Sequence, residues 1–539
     1  MRIHTFHFCR AVLVCALVLL LTGGSAGRSS PFPNHRQDQN LVLMCLSAHP
    51  DDEDGATLAY YSRLKGVKTY SIFFTRGEGG QNETGSELYG DLGIVRTKET
   101  LEAAKILGSE VYFLGFPDFG FSKTAKETFA KWGGKDSVLA RLVYVIRALK
   151  PDVIITNHDT VTTKPNRQHG NHQVVGITAY EAFAKAADPS FHPEQLNDSI
   201  TVWQVRKLYN RSFRRGASAD TSTDEVVLDM SVRDPGGTPI DELALEALRK
   251  HRSQGMDKLV MKDIPPFFRM HRYRLLCSNG NFPFDQHDLF SGIEPSARNR
   301  AAIMSWNISS RGSTDEFRPY KGNAVFTPGI TIGLVFTYDS TLEETMTSCG
   351  IPYRLVDSSA LAAGNLMQFS TIILDLRTYE FRSDAARYND RLLEYVRNGG
   401  NLICCYHKLG DWNGKNYAPY PLALTSERVT EEDALVTSLL PDQPLLNKPN
   451  RILPDDWNGW VQERSIYLPS DDTSRTSPRY LRILAMSDES ETQPPTSLLW
   501  CAYGKGTYTY ISLALYRQLR IANEGAVKLF FNLISQHQH

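Results

Sequence analysis

The stretch Ser47-Ala48-His49-Pro50-Asp51-Asp52-Glu53 gathers one imidazole and three carboxylates on consecutive or near-consecutive positions. His49 and Asp52, three residues apart on one turn, can bind the same cation, and Asp51 between them stays free for a second task. A hydrolytic zinc site takes three protein ligands and keeps a position open for water. Two are offered here, so the third must come from a distant part of the chain. Gln168-His169-Gly170-Asn171-His172, placed directly ahead of a helix-like run, is the best source.

The elements that would carry these residues follow from the hydrophobic pattern. Leu41-Val42-Leu43-Met44-Cys45-Leu46 is an unbroken apolar run. It is too short for a helix and bounded by polar residues, which predicts a buried strand over 41–47. His49, Asp51 and Asp52 then sit at its carboxyl edge, where open α/β sheets bind ligands. Downstream the pattern predicts helices over 55–65, 94–107, 137–149 and 174–187, and strands over 67–75, 110–115 and 152–156. Such alternation implies an α/β fold with a Rossmann-like, mostly parallel sheet covered on both faces. Polar residues follow each strand: Arg76 and Glu78, then Asp118, then Asn157, His158 and Asp159.

A further strand is expected over 201–209 and a helix over 241–252, in a region otherwise loop-like and aromatic. Near residue 320 a second α/β pattern begins, with strands over 331–336, 371–376, 401–406 and 507–513. The expected organisation is one domain over 40–320 and a second over 321–539.

The length of 539 residues suits two or three domains. Charge is nearly balanced, 59 Lys+Arg against 60 Asp+Glu, with no long basic block, which argues against a nucleic-acid partner. The N-terminus reads as an export signal over 1–26: Arg2 and Arg10, the apolar run from Ala11 to Leu21, and small residues at Gly24-Ser25-Ala26 for cleavage. Eleven apolar residues are short for a membrane span. The expected mature protein is exported to the periplasm or outside the cell, with no stable membrane insertion. Cys45, Cys277, Cys349, Cys404, Cys405 and Cys501 remain after cleavage, scattered and mostly in apolar runs. Neither a disulfide framework nor a Cys-based metal site is indicated.

The run Ala48-His49-Pro50-Asp51-Asp52-Glu53 after a buried strand, with His169-x-x-His172 downstream, resembles the PIG-L/LmbE family of zinc-dependent N-acetylglucosaminyl deacetylases. Thr75-Arg76-Gly77-Glu78-Gly79-Gly80-Gln81-Asn82 and Arg96-Thr97-Lys98-Glu99 resemble it too, so the likeness spans roughly residues 40–270. It implies His49, Asp52 and His172 as ligands of Zn2+ or another divalent ion, Asp51 as general base, and a protonated His169 facing the oxyanion. Arg96 and Asp118 match positions that contact the sugar, and Glu78, in a glycine-rich loop where small residues allow close approach to a ligand, is a further candidate for substrate binding. Asn171 departs from the acidic residue many relatives carry there, and so cannot supply the charge that would hold His169 protonated. Lys164 and Arg167 lie in the long loop beside the site.

The C-terminal half resembles, less sharply, glutamine-amidotransferase-like and flavodoxin-like α/β domains. Cys404-Cys405 lacks the Gly-flanked turn of such enzymes, which points to a non-catalytic domain. Trp457 and Trp460 suit either sugar stacking or, more simply, packing between domains. The implied activity is removal of the N-acetyl group from an N-acetylglucosamine-type sugar or glycoconjugate. A zinc amidase on another amide-bearing glycoconjugate and a non-catalytic glycan-binding protein are the competing readings.

Overall fold

In the computed structural model, strand β1 (Val42–Ser47) is buried along its whole length, and the first sheet grows outward from it on both sides. The structure describes residues 41–158, 168–212, 225–265, 269–296, 298–306, 317–489, 491 and 496–536. The expected leader over 1–26 lies outside the described residues, as do Lys164 and Arg167.

β2 (Lys68–Phe73) and β4 (Val153–Thr156) pair with β1 in parallel, one on each side. β3 (Ser109–Phe113) joins β2, and β5 (Lys207–Ser212) joins β4, again in parallel. The parallel core is extended by two antiparallel strands, β6 (Glu225–Asp229) and β7 (Met270–Ser278), giving the order β3-β2-β1-β4-β5-β7-β6. These two strands fall where the sequence pattern is least regular.

Successive side chains of a strand point to opposite faces, and β1 fills a separate core on each. Leu43 and Cys45 pack with Ala56, Leu58, Ala103 and Leu107 from helices α1 (Gly55–Ala59) and α2 (Tyr89–Leu107). Val42, Met44 and Leu46 pack with Val138, Leu142 and Val174. These come from α4 (Lys135–Leu149) and α5 (Gly170–Lys185), with α3 (Ala125–Lys131) alongside. Burial on both faces is why β1 reads as a continuous apolar run rather than an alternating one. Several helix bounds differ from expectation, and α2, expected from residue 94, already starts at Tyr89. The helix predicted over 55–65 is α-helical only to Ala59 and continues as a π-turn over Tyr60–Leu64. The helix predicted from residue 174 starts at Gly170, which puts His172 on its first turn.

The second sheet contains β8 (Ile332–Val335), β9 (Tyr353–Leu355), β10 (Thr371–Leu374), β11 (Asn401–Cys405), β13 (Val436–Ser438), β15 (Leu481–Met486), β16 (Leu498–Tyr503) and β17 (Gly506–Ile511). Between them, β12 (Arg428–Val429) and β14 (Ser465–Ile466) form a separate two-stranded ribbon. The main order is β13-β15-β16-β17-β11-β10-β8-β9. Its β17-to-β9 part is parallel, and the tight hairpin joining β16 to β17 through Gly504-Lys505 turns the remainder antiparallel.

Trp457 and Trp460 are buried in this half's core, 5.3 Å apart, so they pack rather than present a stacking surface. Burial pushes the Cys404 thiol up to about 12, which removes it as a nucleophile. All six described cysteines are free.

Both sheets belong to one compact unit, Asp38–His539. The seam between them runs along the glycine-rich loop after β2. The Arg377 side chain, fully buried, donates to Gln81 Oε1 at 3.0 Å and to Glu83 Oε1 at 2.8 Å. Gln81 donates to the Tyr406 hydroxyl, and Arg517 Nη2 donates to the Gly79 carbonyl at 3.3 Å. Lys123 reaches Asp488 at 2.9 Å, and Lys131 reaches Glu432 at 2.5 Å. No helix among the described residues is long and apolar enough to cross a membrane.

Candidate metal and catalytic site

His49 and Asp52 leave β1 on a tight turn closed by the Asp52 N–H donating to the His49 carbonyl at 3.2 Å. The Asp52 carboxylate folds back, so Oδ2 accepts from the His49 N–H at 2.9 Å and lies 3.0 Å from His49 Nδ1. The same oxygen is 3.2 Å from His172 Nε2, which α5 carries in from the next loop. Tetrahedral zinc with bonds near 2 Å separates its ligand atoms by about 3.3 Å. Both distances from this carboxylate oxygen to an imidazole nitrogen are close to that spacing.

Two further histidines crowd this centre. The ligand atoms of His49, His169 and His172 lie within 4.8 Å of one another, as do those of Asp52, His158 and His172. His158 is not free to ligate through Nε2, which accepts the Ala48 N–H at 3.1 Å. Burial, then the His172 charge, lowers it to about 3, so it stays neutral and stacks behind His172 at 4.3 Å. The sequence marked His158 only as a polar residue after a strand.

His169 caps α5, its ring 3.9 Å from His172 and 5.1 Å from Phe121. Its Nδ1 is buried, with no hydrogen-bond partner among the described residues. Burial, then the His172 and His49 charges, hold it well below the ordinary imidazole range. That direction runs against the protonated form the resemblance implies for His169.

Gly170, between the two histidines, packs on Ser122 and Thr124, and a Cβ there would also stand 2.6 Å from Thr128 Oγ1. Asn171 is fully buried; its Oδ1 accepts from Thr128 Oγ1 at 2.9 Å, and its amide nitrogen lies 3.2 Å from His49 Nε2. The departure at position 171 thus acts on His49, not on His169.

Asp51 has φ 90, a left-handed conformation that costs on the order of 1–3 kcal/mol for a residue with a side chain. Its N–H donates to Glu53 Oε2 at 3.0 Å, and Glu53 Oε1 is held by His251 Nε2 at 3.3 Å. Gln254 Nε2 donates to the Pro50 carbonyl at 2.9 Å. The segment His251-Arg252-Ser253-Gln254, whose role was not legible in the sequence, locks the turn that carries the candidate ligands His49 and Asp52. Among the described residues no hydrogen bond engages the Asp51 carboxylate, and burial, then the Asp52 charge, raises it above the usual range.

The three expected sugar contacts separate. Asp118 and Arg96 line a cavity of about 380 Å³ with His49, Asp51 and Asp52. Asp118 Oδ2 is 4.0 Å from His49 Nε2. Arg96 mainly staples the glycine loop, donating to the carbonyls of Gly77 and, at 3.0 Å, Gln81. Glu78 is turned inward, accepting from the N–H groups of Asp118 at 2.9 Å and Arg76 at 3.1 Å, and does not line the cavity. Its task is to place Asp118. A second cavity of about 540 Å³ shares Asp51, Asp52 and His172 and continues past Leu107, Leu245 and Leu248.

A Cβ on Gly79 would stand 2.5 Å from Gly120 N and 2.6 Å from the Asp118 carbonyl, both backbone atoms that cannot swing away. Gly79→Ala is expected to cost about 1–3 kcal/mol in urea unfolding. It should also displace Asp118 from the cavity wall.

The family model described as GlcNAc-PI de-N-acetylase, PIG-L, matches residues 44–183. A 1D-myo-inositol 2-acetamido-2-deoxy-alpha-D-glucopyranoside deacetylase 2 of Saccharopolyspora erythraea is 31% identical over 286 residues, covering 47% of this chain and 100% of that protein. The chain belongs to the PIG-L family. The PIG-L match takes in the ligand turn, the glycine-rich loop, Asp118 and the His169–His172 segment. A mycothiol S-conjugate amidase of Streptomyces coelicolor is 34% identical over 190 residues, 32% of this PIG-L chain and 62% of that protein. Among solved structures, N,N'-diacetylchitobiose deacetylase from Pyrococcus horikoshii aligns with TM-score 0.32 and 21% identity, covering 44% of this chain and 83% of that one.

Proposed function

We propose that this protein is an exported, zinc-dependent hydrolase that removes the N-acetyl group from an N-acetylglucosamine-type sugar or glycoconjugate. The observation that carries the reading is the Asp52 carboxylate set against both His49 and His172, with the Asp51 carboxylate unengaged beside it on the same cavity. Membership of a de-N-acetylase family and a relative named for deacetylating a 2-acetamido sugar support it.

His49, Asp52 and His172 would hold the ion, whose contribution when bound is Lewis acidity toward the amide carbonyl and toward water. The protein's own groups do the rest. Asp51 takes a proton from the attacking water as the C–O bond forms. Neutral His169 offers a ring N–H to the carbonyl oxygen as negative charge gathers there. Asp51 then returns its proton to the nitrogen as the C–N bond breaks, leaving acetate and a free amine. Glu53 and His251 hold Asp51 in place without touching substrate.

The purified protein should carry about one divalent ion per chain by elemental analysis, and His172→Ala should lose it, lowering acetate release about 10²-fold or more. The direct test is acetate release from acetylated amino sugars by the zinc-loaded protein. Release of a different acyl fragment from a glycoconjugate, with no acetate, would instead favour the amidase reading. The leader pattern over 2–26 supports export, which N-terminal sequencing of secreted protein checks by a start at Gly27.

A further inference from the structure

Part of the lining of the 380 Å³ cavity comes from residues that lie more than two hundred positions after the PIG-L match. Lys408, Arg428, Glu463 and Arg517 line it together with Asp51, Asp52 and Asp118. Three of these four C-terminal side chains are cationic, and their one carboxylate is shared: Glu463 lies 2.6 Å from Arg428 and 3.7 Å from Arg517. Lys408 in turn shares Glu83, at 3.2 Å, with Arg377 at 2.8 Å and Lys258 at 2.9 Å.

Two of the cations are rigidly held. The Arg428 guanidinium lies 4.8 Å from the Phe121 ring of the first half and 4.8 Å from Tyr467 of the second. Arg517 is 4% exposed, with Nε donating to the Tyr516 hydroxyl at 2.7 Å and Nη2 to the Gly79 carbonyl at 3.3 Å. Among the described residues its Nη1 has no hydrogen-bond partner, although a buried donor left unpaired is costly. A preorganised guanidinium with an unused N–H on a cavity wall is the arrangement that recognises carboxylate and phosphate oxygens.

The cavity lining therefore combines carboxylates and histidines with these cations. If the deacetylase reading is right, the carboxylates and histidines take the acetamide and the cations meet another part of the sugar. A volume of this size accommodates about one substituted sugar ring.

We propose that Lys408, Arg428 and Arg517 form a specificity wall, contributed by the C-terminal half, that binds an oxyanion carried by the acetamido sugar, either a carboxylate or a phosphate. The orientation rests on the deacetylase reading; the anion preference does not. The test is calorimetric binding of three deacetylated sugars to the full chain: glucosamine, glucosamine 6-phosphate, and glucosamine bearing a 3-O-lactyl carboxylate. At least one anionic sugar should bind about tenfold more tightly than glucosamine, and which one does so identifies the oxyanion.

Lys408→Ala and Arg428→Gln should each erase most of that preference. Arg517→Lys, which keeps the charge and loses the fork, should weaken it as well. Should Arg517→Lys fail to fold, the half-exposed Lys408 carries the test. Equal binding of all three sugars overturns the wall, as does a preference left intact by Lys408→Ala and Arg428→Gln. A clear preference without acetate release from any acetamido sugar would leave the wall standing and defeat the deacetylase reading. Acetate release from neutral N-acetylglucosamine without any preference would do the reverse.

Discussion

Asp51→Asn is expected to keep the bound ion and lower kcat for acetate release by 10²- to 10⁴-fold, the usual worth of a positioned general base. Asparagine has the shape of aspartate, and among residues with a side chain it is one of the best tolerated at positive φ, so the strained turn at φ 90 should survive. The Glu53 contact uses the residue's N–H and is untouched by the exchange. What is lost is the capacity to take a proton from water and hand it to the departing amine. Metal analysis alongside kcat separates this loss from a damaged site. An Asp51→Asn protein with full activity and a full complement of metal would remove the residue from its assigned role.

Arg377→Met is expected to destabilise the protein by about 3–5 kcal/mol, because it strips one partner from a buried ion network and leaves carboxylates behind. Arg377 is fully buried, pairs with Glu83 across the seam, and also pairs with Glu380 in its own half. Methionine fills much of the volume, so the loss measured by urea unfolding at neutral pH reports the charges rather than a cavity.

The pH dependence gives a second signature. Burial alone would raise the Glu83 carboxyl, but hydrogen bonds from Arg377 and Lys258 and the nearby Lys408 charge outweigh it and hold it at about 2, against an ordinary value of 4.5. A carboxyl depressed on folding stabilises the folded state above its unfolded pKa, and that stabilisation drains away as pH falls through the folded value. The stability gap between the natural protein and Arg377→Met should therefore be full above about pH 5 and shrink between about pH 4.5 and 2. A gap constant down to pH 2 would mean the pair contributes packing only.

The first half of the fold was open to reading because its signals are local. β1 is covered on both faces, so six consecutive residues had to be apolar, and a turn rich in carboxylates had to follow where helix and strand ends expose backbone donors. The His49–Asp52 pairing is equally local, since three residues on one turn bring the side chains together whatever the rest of the chain does. The antiparallel parts resisted reading. β6 and β13 are short edge strands, and β7, although paired on both sides, is partly exposed along its second half, so the apolar pattern there is weak. Trp457 and Trp460 show the same difficulty, because aromatic residues near Gly and Asp look like a loop whether or not another element covers them.

Residue types and their spacing along the chain specified the parallel sheet, the candidate ligand turn and the chemistry it could support, because hydrophobic periodicity and turn geometry act over a handful of positions. Closure of the molecule settled the partners: His158 spent on a backbone N–H, Asn171 set against His49, Glu78 turned in to place Asp118, and His251 bracing Asp51 through Glu53. The cationic face of Lys408, Arg428 and Arg517 was likewise invisible, since isolated charges hundreds of residues from the ligand turn have no periodicity to betray them. Their position depends on how two sheets meet, and that contact is made by side chains whose neighbours in space are remote in sequence.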